Sequence, residues 1–122
     1  MKETYETGLL GEAAAKEYLV REKKMVFLEQ RYRSKAGEID LILLDGNTVV
    51  FCEVKTRNTG SRGNGLSAVN RAKQTRITKA AVIYLMQKKW MNRTVRFDII
   101  EVYEEEILHI PNAFQPYGRF YH

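Results

Sequence analysis

Two carboxylates stand in the middle of apolar, strand-forming runs, and that placement constrains this chain more than any other feature. The runs are Gly37-Glu38-Ile39-Asp40-Leu41-Ile42 and Val49-Val50-Phe51-Cys52-Glu53-Val54-Lys55-Thr56-Arg57, joined through Asp45-Gly46-Asn47. A carboxylate among residues that favour burial is costly unless something compensates it. Strand side chains alternate faces, so Asp40, Ile42 and Leu44 share one side, as do Val49, Phe51, Glu53 and Lys55 in the next strand. The turn signal favours pairing Leu44 with Val49. That register sets Ile42 against Phe51 and Asp40 against Glu53, with the two acidic Cβ atoms roughly 5 Å apart. Ile39, Leu41, Leu43, Val50, Cys52 and Val54 occupy the other face. With both faces apolar, the hairpin is expected at the centre of a sheet covered on both sides.

Opposed carboxylates repel, so either one is protonated or a cation sits between them. Mg²⁺ takes oxygen ligands and commonly uses one or two protein carboxylates together with substrate phosphate. Asp40 and Glu53 are suitable donors, and the backbone carbonyl of Val54 is a candidate third ligand. Such a centre would support hydrolysis of a phosphodiester bond, with Lys55 orienting the attacking water or stabilising charge that develops at phosphorus. The competing reading is structural: Lys55 neutralises one acid and the group is an ion pair. Other site chemistries fit poorly. His109 and His122 lack ligand-spaced partners, so no Cys/His zinc site is expected. No glycine-rich phosphate loop precedes a Lys-Ser/Thr pair.

Around the hairpin, residues 4–23 read as a helix with Leu10, Ala14 and Tyr18 on its apolar stripe and Leu9, Ala13 and Val20 nearby. Glu12 reads by itself as an exposed helix acid. Small neighbours at Gly8, Gly11 and Ala15 would nevertheless let the helix approach a sheet and turn Glu12 inward. Residues 25–28 form a short strand candidate and Glu29 to Lys35 a charged connection. Asn58 to Gly65 reads as a flexible basic loop beside the candidate site, where substrate contact would fall. Residues 67–90 suggest a second helix capped by Ser67, with Ile77, Ala80, Ala81, Tyr84 and Leu85 apolar and Arg71, Lys73, Arg76 and Lys79 basic. Thr94 to Tyr103 and Ile107 to Ile110 alternate as strands. Pro111 to His122 reads as an aromatic tail, with Phe114, Tyr117, Phe120 and Tyr121, that packs on the core or covers a homodimer contact.

The 122 residues suit one domain, 1–122, with one core. A formal net charge of +5 fits an anionic partner such as nucleic acid. Arg57, Arg62 and Arg71 are sensible phosphate contacts. The single cysteine, Cys52, excludes an internal disulfide and suits a reducing cytoplasm. The polar start of the chain lacks a signal-peptide core, and the longest apolar run, Ala80 to Met86, is too short to span a bilayer, so no membrane association is expected.

An ordered set of segments carries a family resemblance. These are Gly8-Leu9-Leu10-Gly11-Glu12-Ala13-Ala14-Ala15, Gly37 to Ile42, Phe51 to Arg57, Ala68-Val69 through Lys73-Gln74, Arg96-Phe97-Asp98, and Ile107 to Phe114. Together they resemble the YraN-like family of small bacterial proteins. Acid, turn and Glu53-Val54-Lys55, preceded by a helix bearing Glu12, also look like the PD-(D/E)xK nuclease superfamily. The resemblance implies an α/β, restriction-endonuclease-like core: a central mixed β-sheet flanked by α-helices. It is similar to archaeal Holliday-junction resolvases, in which a helix glutamate joins the strand acids at the metal. On that likeness Glu12, Asp40, Glu53 and Lys55 form the catalytic site, with Glu12, Asp40, Glu53 and Val54 around Mg²⁺ or Mn²⁺. Arg57, Arg62, Arg71, Lys73 and Gln74 would face the nucleic acid, Gln74 as a supporting residue. The expected activity is metal-dependent endonucleolytic cleavage of DNA, with branched or junction DNA as a candidate substrate. The alternative is a non-catalytic nucleic-acid-binding protein that retains the fold.

Overall fold

The computed structural model describes residues 2–57, 69–104 and 106–115, with side chains from residue 8 onward. Helix α1 (Lys2–Arg21) precedes strands β1 (Val26–Arg33), β2 (Glu38–Asp45) and β3 (Thr48–Arg57); helix α2 (Arg71–Lys88) and strands β4 (Val95–Tyr103) and β5 (Glu106–Phe114) follow. The five strands form one sheet in the order β1-β2-β3-β4-β5. β3 and β4 are parallel and the other neighbours antiparallel, so the sheet is mixed. This is the expected α/β architecture, consistent with a restriction-endonuclease-like core. Among the described residues no helix is long and apolar enough to cross a membrane.

Both faces of the sheet are covered, as the two-sided apolar pattern of β2 and β3 requires. On one face Ile42, Val49, Phe51, Phe97 and Ile99 pack beneath Ile77, Ala80, Ala81, Tyr84 and Leu85 of α2. On the other, Leu41, Leu43, Val50, Cys52, Ile100 and Val102 meet Ala15 and Leu19 of α1. The β2–β3 register is the expected one, with Leu44 against Val49 and Ile42 against Phe51 across a turn in which Gly46 takes φ +62°. Strict alternation slips near Asp40. Ile39 joins the α2-side cluster rather than the face of Leu41 and Leu43.

Several sequence expectations are corrected. The buried stripe of α1 is Gly11, Ala15 and Leu19, while Leu10 is 72% exposed. Close approach decides the face: a Cβ on Gly11 would collide with Thr56 Oγ1 of β3, so the smallest residues of α1 must face the sheet. The segment from Glu29 is not a connection but the second half of β1, whose charges are tolerated because β1 is an edge strand. β5 likewise continues past Ile110 to Phe114, carrying Pro111 on the other edge. Phe114 stacks on Phe97, ring centroids 5.0 Å apart, so this part of the aromatic tail is core. Helix α2 begins at Arg71, capped by Asn70, whose side chain accepts from the Lys73 N–H. Ser67, the Asn58 to Gly65 loop, and Tyr117, Phe120 and Tyr121 lie outside the described residues.

The end of the sheet at the β2–β3 turn is held by a closed polar network. Asp98 is fully buried. It accepts from Arg96 Nε and Nη2, from the backbone N–H of Asn112, and pairs at 2.8 Å with His109 Nε2. Arg96 also reaches Asp45 at 3.0 Å. Burial pushes the Asp98 carboxyl up, but His109, Arg96 and Asn112 outweigh it and hold the group below the usual carboxylate range. The Arg96-Phe97-Asp98 segment of the resemblance therefore has a structural role. Asp98→Ala strands Arg96 and His109 and should destabilise the fold by about 3–5 kcal/mol. Urea denaturation checks this; a midpoint equal to that of the wild type would show that the network is dispensable.

Candidate active site

β2 and β3 bring Asp40 and Glu53 together. Their backbone ladder runs from Asp45 and Thr48 to Leu41 and Cys52. At the next position the Asp40 side chain takes over, its Oδ2 accepting the Val54 N–H at 2.8 Å. The Glu53 carboxyl lies close enough for its charge to act on Asp40. Glu53 is buried, with 6% of its surface exposed. Desolvation, reinforced by the negative charges of Glu53 and Glu12 and opposed by the Val54 N–H, pushes the Asp40 carboxyl up to about 8. Protonation of one acid is one of the two outcomes expected for opposed carboxylates.

Lys55 projects from the same stretch of β3, its Nζ 3.8 Å from Glu53 Oε2. A second lysine is closer: Lys73 Nζ of α2 lies 2.6 Å from the same oxygen. Burial lowers the Lys55 amine, helped by its hydrogen bond to Lys73 and by that residue's charge. Burial also opposes charge on Lys73, but hydrogen bonds to Glu53 and Lys55 and the charges of Glu53 and Asp40 reverse the balance and raise it. The two ammonium groups are thus unequal. Lys73 carries the ion pair with Glu53, and Lys55 is the one eased towards neutrality.

Glu12 does face inward, because Gly11 and Ala15 seat α1 on the sheet. Its carboxylate is held by Arg31, with Nε 3.0 Å from Oε1 and side chains 27% and 15% exposed for Arg31 and Glu12. Arg31 sits within β1 at φ +53°, a left-handed conformation unusual for a residue with a Cβ. Neither Arg31 nor the inward reach of Lys73 was legible from the sequence. Arg31 fell in what read as a charged connection, and Lys73 read as a solvated or phosphate-facing helix residue.

The remaining candidates have other partners. Arg57 Nε is 2.7 Å from the buried Glu101. Gln74 donates its side-chain amide to the Val69 carbonyl at 2.8 Å, which orders the approach to α2. Arg71 is exposed at the start of α2, and Arg62 lies outside the described residues.

The donor chemistry suits a small divalent cation. Asp40 and Glu53 present hard oxygens, and Mg²⁺ needs only one or two carboxylates when water and phosphate complete its shell. The three-acid set is not assembled around a common point. Among the described residues no group of three His, Cys, Asp or Glu side chains is arranged to hold a metal ion. Lys73 and Arg31 occupy Glu53 and Glu12 instead.

The raised Asp40 carboxyl has a measurable consequence. In the unfolded chain it ionises near the ordinary carboxylate value, and in the folded protein only near 8, so the fold binds the extra proton. Its contribution to stability is present at low pH and lost as pH rises between those values. Asp40→Asn removes that loss. At pH 8 it should raise stability by about 1 kcal/mol, or roughly 3–6 °C in Tm, and by less at pH 5. Thermal melts at the two pH values check this; a lower Tm at pH 8 would contradict it.

The model of a family described as uncharacterised protein family UPF0102 matches residues 11–102. A UPF0102 protein of Geobacter metallireducens is 41% identical over 112 residues, covering 88% of this chain and 91% of that protein. One from Caldanaerobacter subterraneus subsp. tengcongensis is 42% identical over 114 residues, covering 88% and 93%. One from Clostridium kluyveri is 44% identical over 95 residues, covering 78% and 77%.

Proposed function

We propose that this chain, which belongs to the UPF0102 family, is a divalent-cation-dependent endonuclease of the PD-(D/E)xK kind that hydrolyses DNA phosphodiester bonds. The observation that carries the reading is the Asp40–Glu53 pair, a half-buried and a buried carboxyl side by side on the central strands beside Lys55 and Lys73. A fold does not retain such a pair for stability, since burial works against the ionised acids. Asp40 and Glu53 would hold Mg²⁺ or Mn²⁺ with the Val54 carbonyl, and Glu12 would join them on leaving Arg31. When bound, the cation supplies a lowered pKa to water and neutralises charge on the phosphate.

The chain's own groups do the rest. Lys55, eased towards neutrality by burial and by Lys73, can hold the proton of the attacking water at its Nζ. Arg71 and the Asn58 to Gly65 loop with Arg62 would track the DNA backbone, where phosphate contacts position the duplex. The net charge of +5 supports such a partner. Branched or junction DNA is the proposed substrate class, and the cytoplasm the proposed location.

The test is a panel of duplex, single-stranded, flap and four-way-junction DNA, each with Mg²⁺ and with Mn²⁺. Asp40→Ala and Glu53→Ala should each abolish cleavage while circular dichroism stays native. Lys55→Ala should lower turnover by about 10²–10⁴-fold with a much smaller change in DNA affinity. Wild-type cleavage by both acid variants would overturn the assignment. Salt-sensitive DNA binding without cleavage under any metal would identify a non-catalytic DNA-binding protein instead.

A further inference from the structure

We propose that Lys73 is a built-in counter-cation: its ammonium holds the Glu53 oxygen that the divalent cation takes, and it yields that oxygen when the cation binds. The inference rests on the reading of Asp40 and Glu53 as cation ligands.

Geometry argues for it. Both lysines address Glu53 Oε2, but Lys73 lies at 2.6 Å and Lys55 at 3.8 Å. Glu53 retains only 7% side-chain exposure, and a charge so placed needs a close partner. The first turn of α2 contains no acidic residue, so its own helix start offers Lys73 no carboxylate. The Lys73 side chain is 30% exposed, which leaves its flexible stem a route outward. Electrostatics closes the argument. Glu12, Asp40 and Glu53 face Arg31, Lys55 and Lys73, so the acids are already matched by bases, and Asp40 holds its proton up to about pH 8. A doubly charged ion added to that set repels the nearest ammonium. Lys73, the nearer ammonium and borne by a helix rather than the central strand, is the group free to leave. Once displaced, it stands beside the site as a phosphate contact, so cation and DNA phosphate bind cooperatively.

A structural ion pair would behave differently. It would tie α2 to β3 and have no bearing on cation affinity.

The experiment is calorimetric titration of the full chain with MnCl₂ in the absence of DNA. Lys73→Met should bind Mn²⁺ about 3- to 30-fold more tightly than the wild type, the scale expected when one like charge is removed at close range. Lys73→Arg should restore wild-type affinity, and Asp40→Asn should bind more weakly. Lys73→Gln, which keeps a polar end, serves if Lys73→Met does not fold and should shift affinity in the same direction. Mn²⁺ binding by the wild type with equal or weaker binding by Lys73→Met and Lys73→Gln overturns this proposal alone. Absence of Mn²⁺ binding by the wild type and every variant overturns it together with the nuclease reading.

Discussion

Burying two carboxylates side by side on the central strands is the constraint from which the rest of the site follows. Asp40 and Glu53 cannot both be ionised and desolvated without help. The protein supplies that help locally: the Val54 N–H on Asp40 and the ammonium of Lys73 on Glu53. Glu12 is brought to the same region by α1 and meets Arg31. Each acid has a partner, yet the partners are side chains on different elements, and Asp40 stays far from its ordinary ionisation.

The opposite face of the sheet, one register step from Glu53, shows what a settled buried carboxylate looks like. Asp98 receives two hydrogen bonds from one guanidinium, one backbone N–H and a histidine contact, and its carboxyl is held low. The same sheet thus carries one acid made comfortable and one left strained. Structural need accounts for the first. The second is the pattern expected where binding or chemistry, rather than folding, sets the environment. Gly11 links the ends of this logic, because its missing side chain lets α1 sit against Thr56 and carry Glu12 inward.

Much of this was legible in the chain. Two apolar runs and an Asp-Gly-Asn turn gave the hairpin and its register, since a one-residue slip would have exposed an entire hydrophobic face. The covering of both sheet faces followed from the same pattern. Less legible were features set by tertiary contact. Leu10 looked buried by its hydrophobicity, but helix–sheet distance selected Gly11 and Ala15 for the inner face. The charges after Leu28 hid an edge strand, because solvent on an edge tolerates them. Pro111 hid the last residues of β5 for the same reason. Lys73 and Arg31 carried no local signal, since their partners are distant in sequence. Gln74 and Arg57, expected at the nucleic acid, satisfy groups inside the protein.

The most direct test is an anomalous-difference map from crystals grown with Mn²⁺. The account predicts a peak in contact with carboxylate oxygens of both Asp40 and Glu53, with the Lys73 ammonium withdrawn from Glu53. A map with no peak between those two acids, and Lys73 still seated on Glu53, would contradict it.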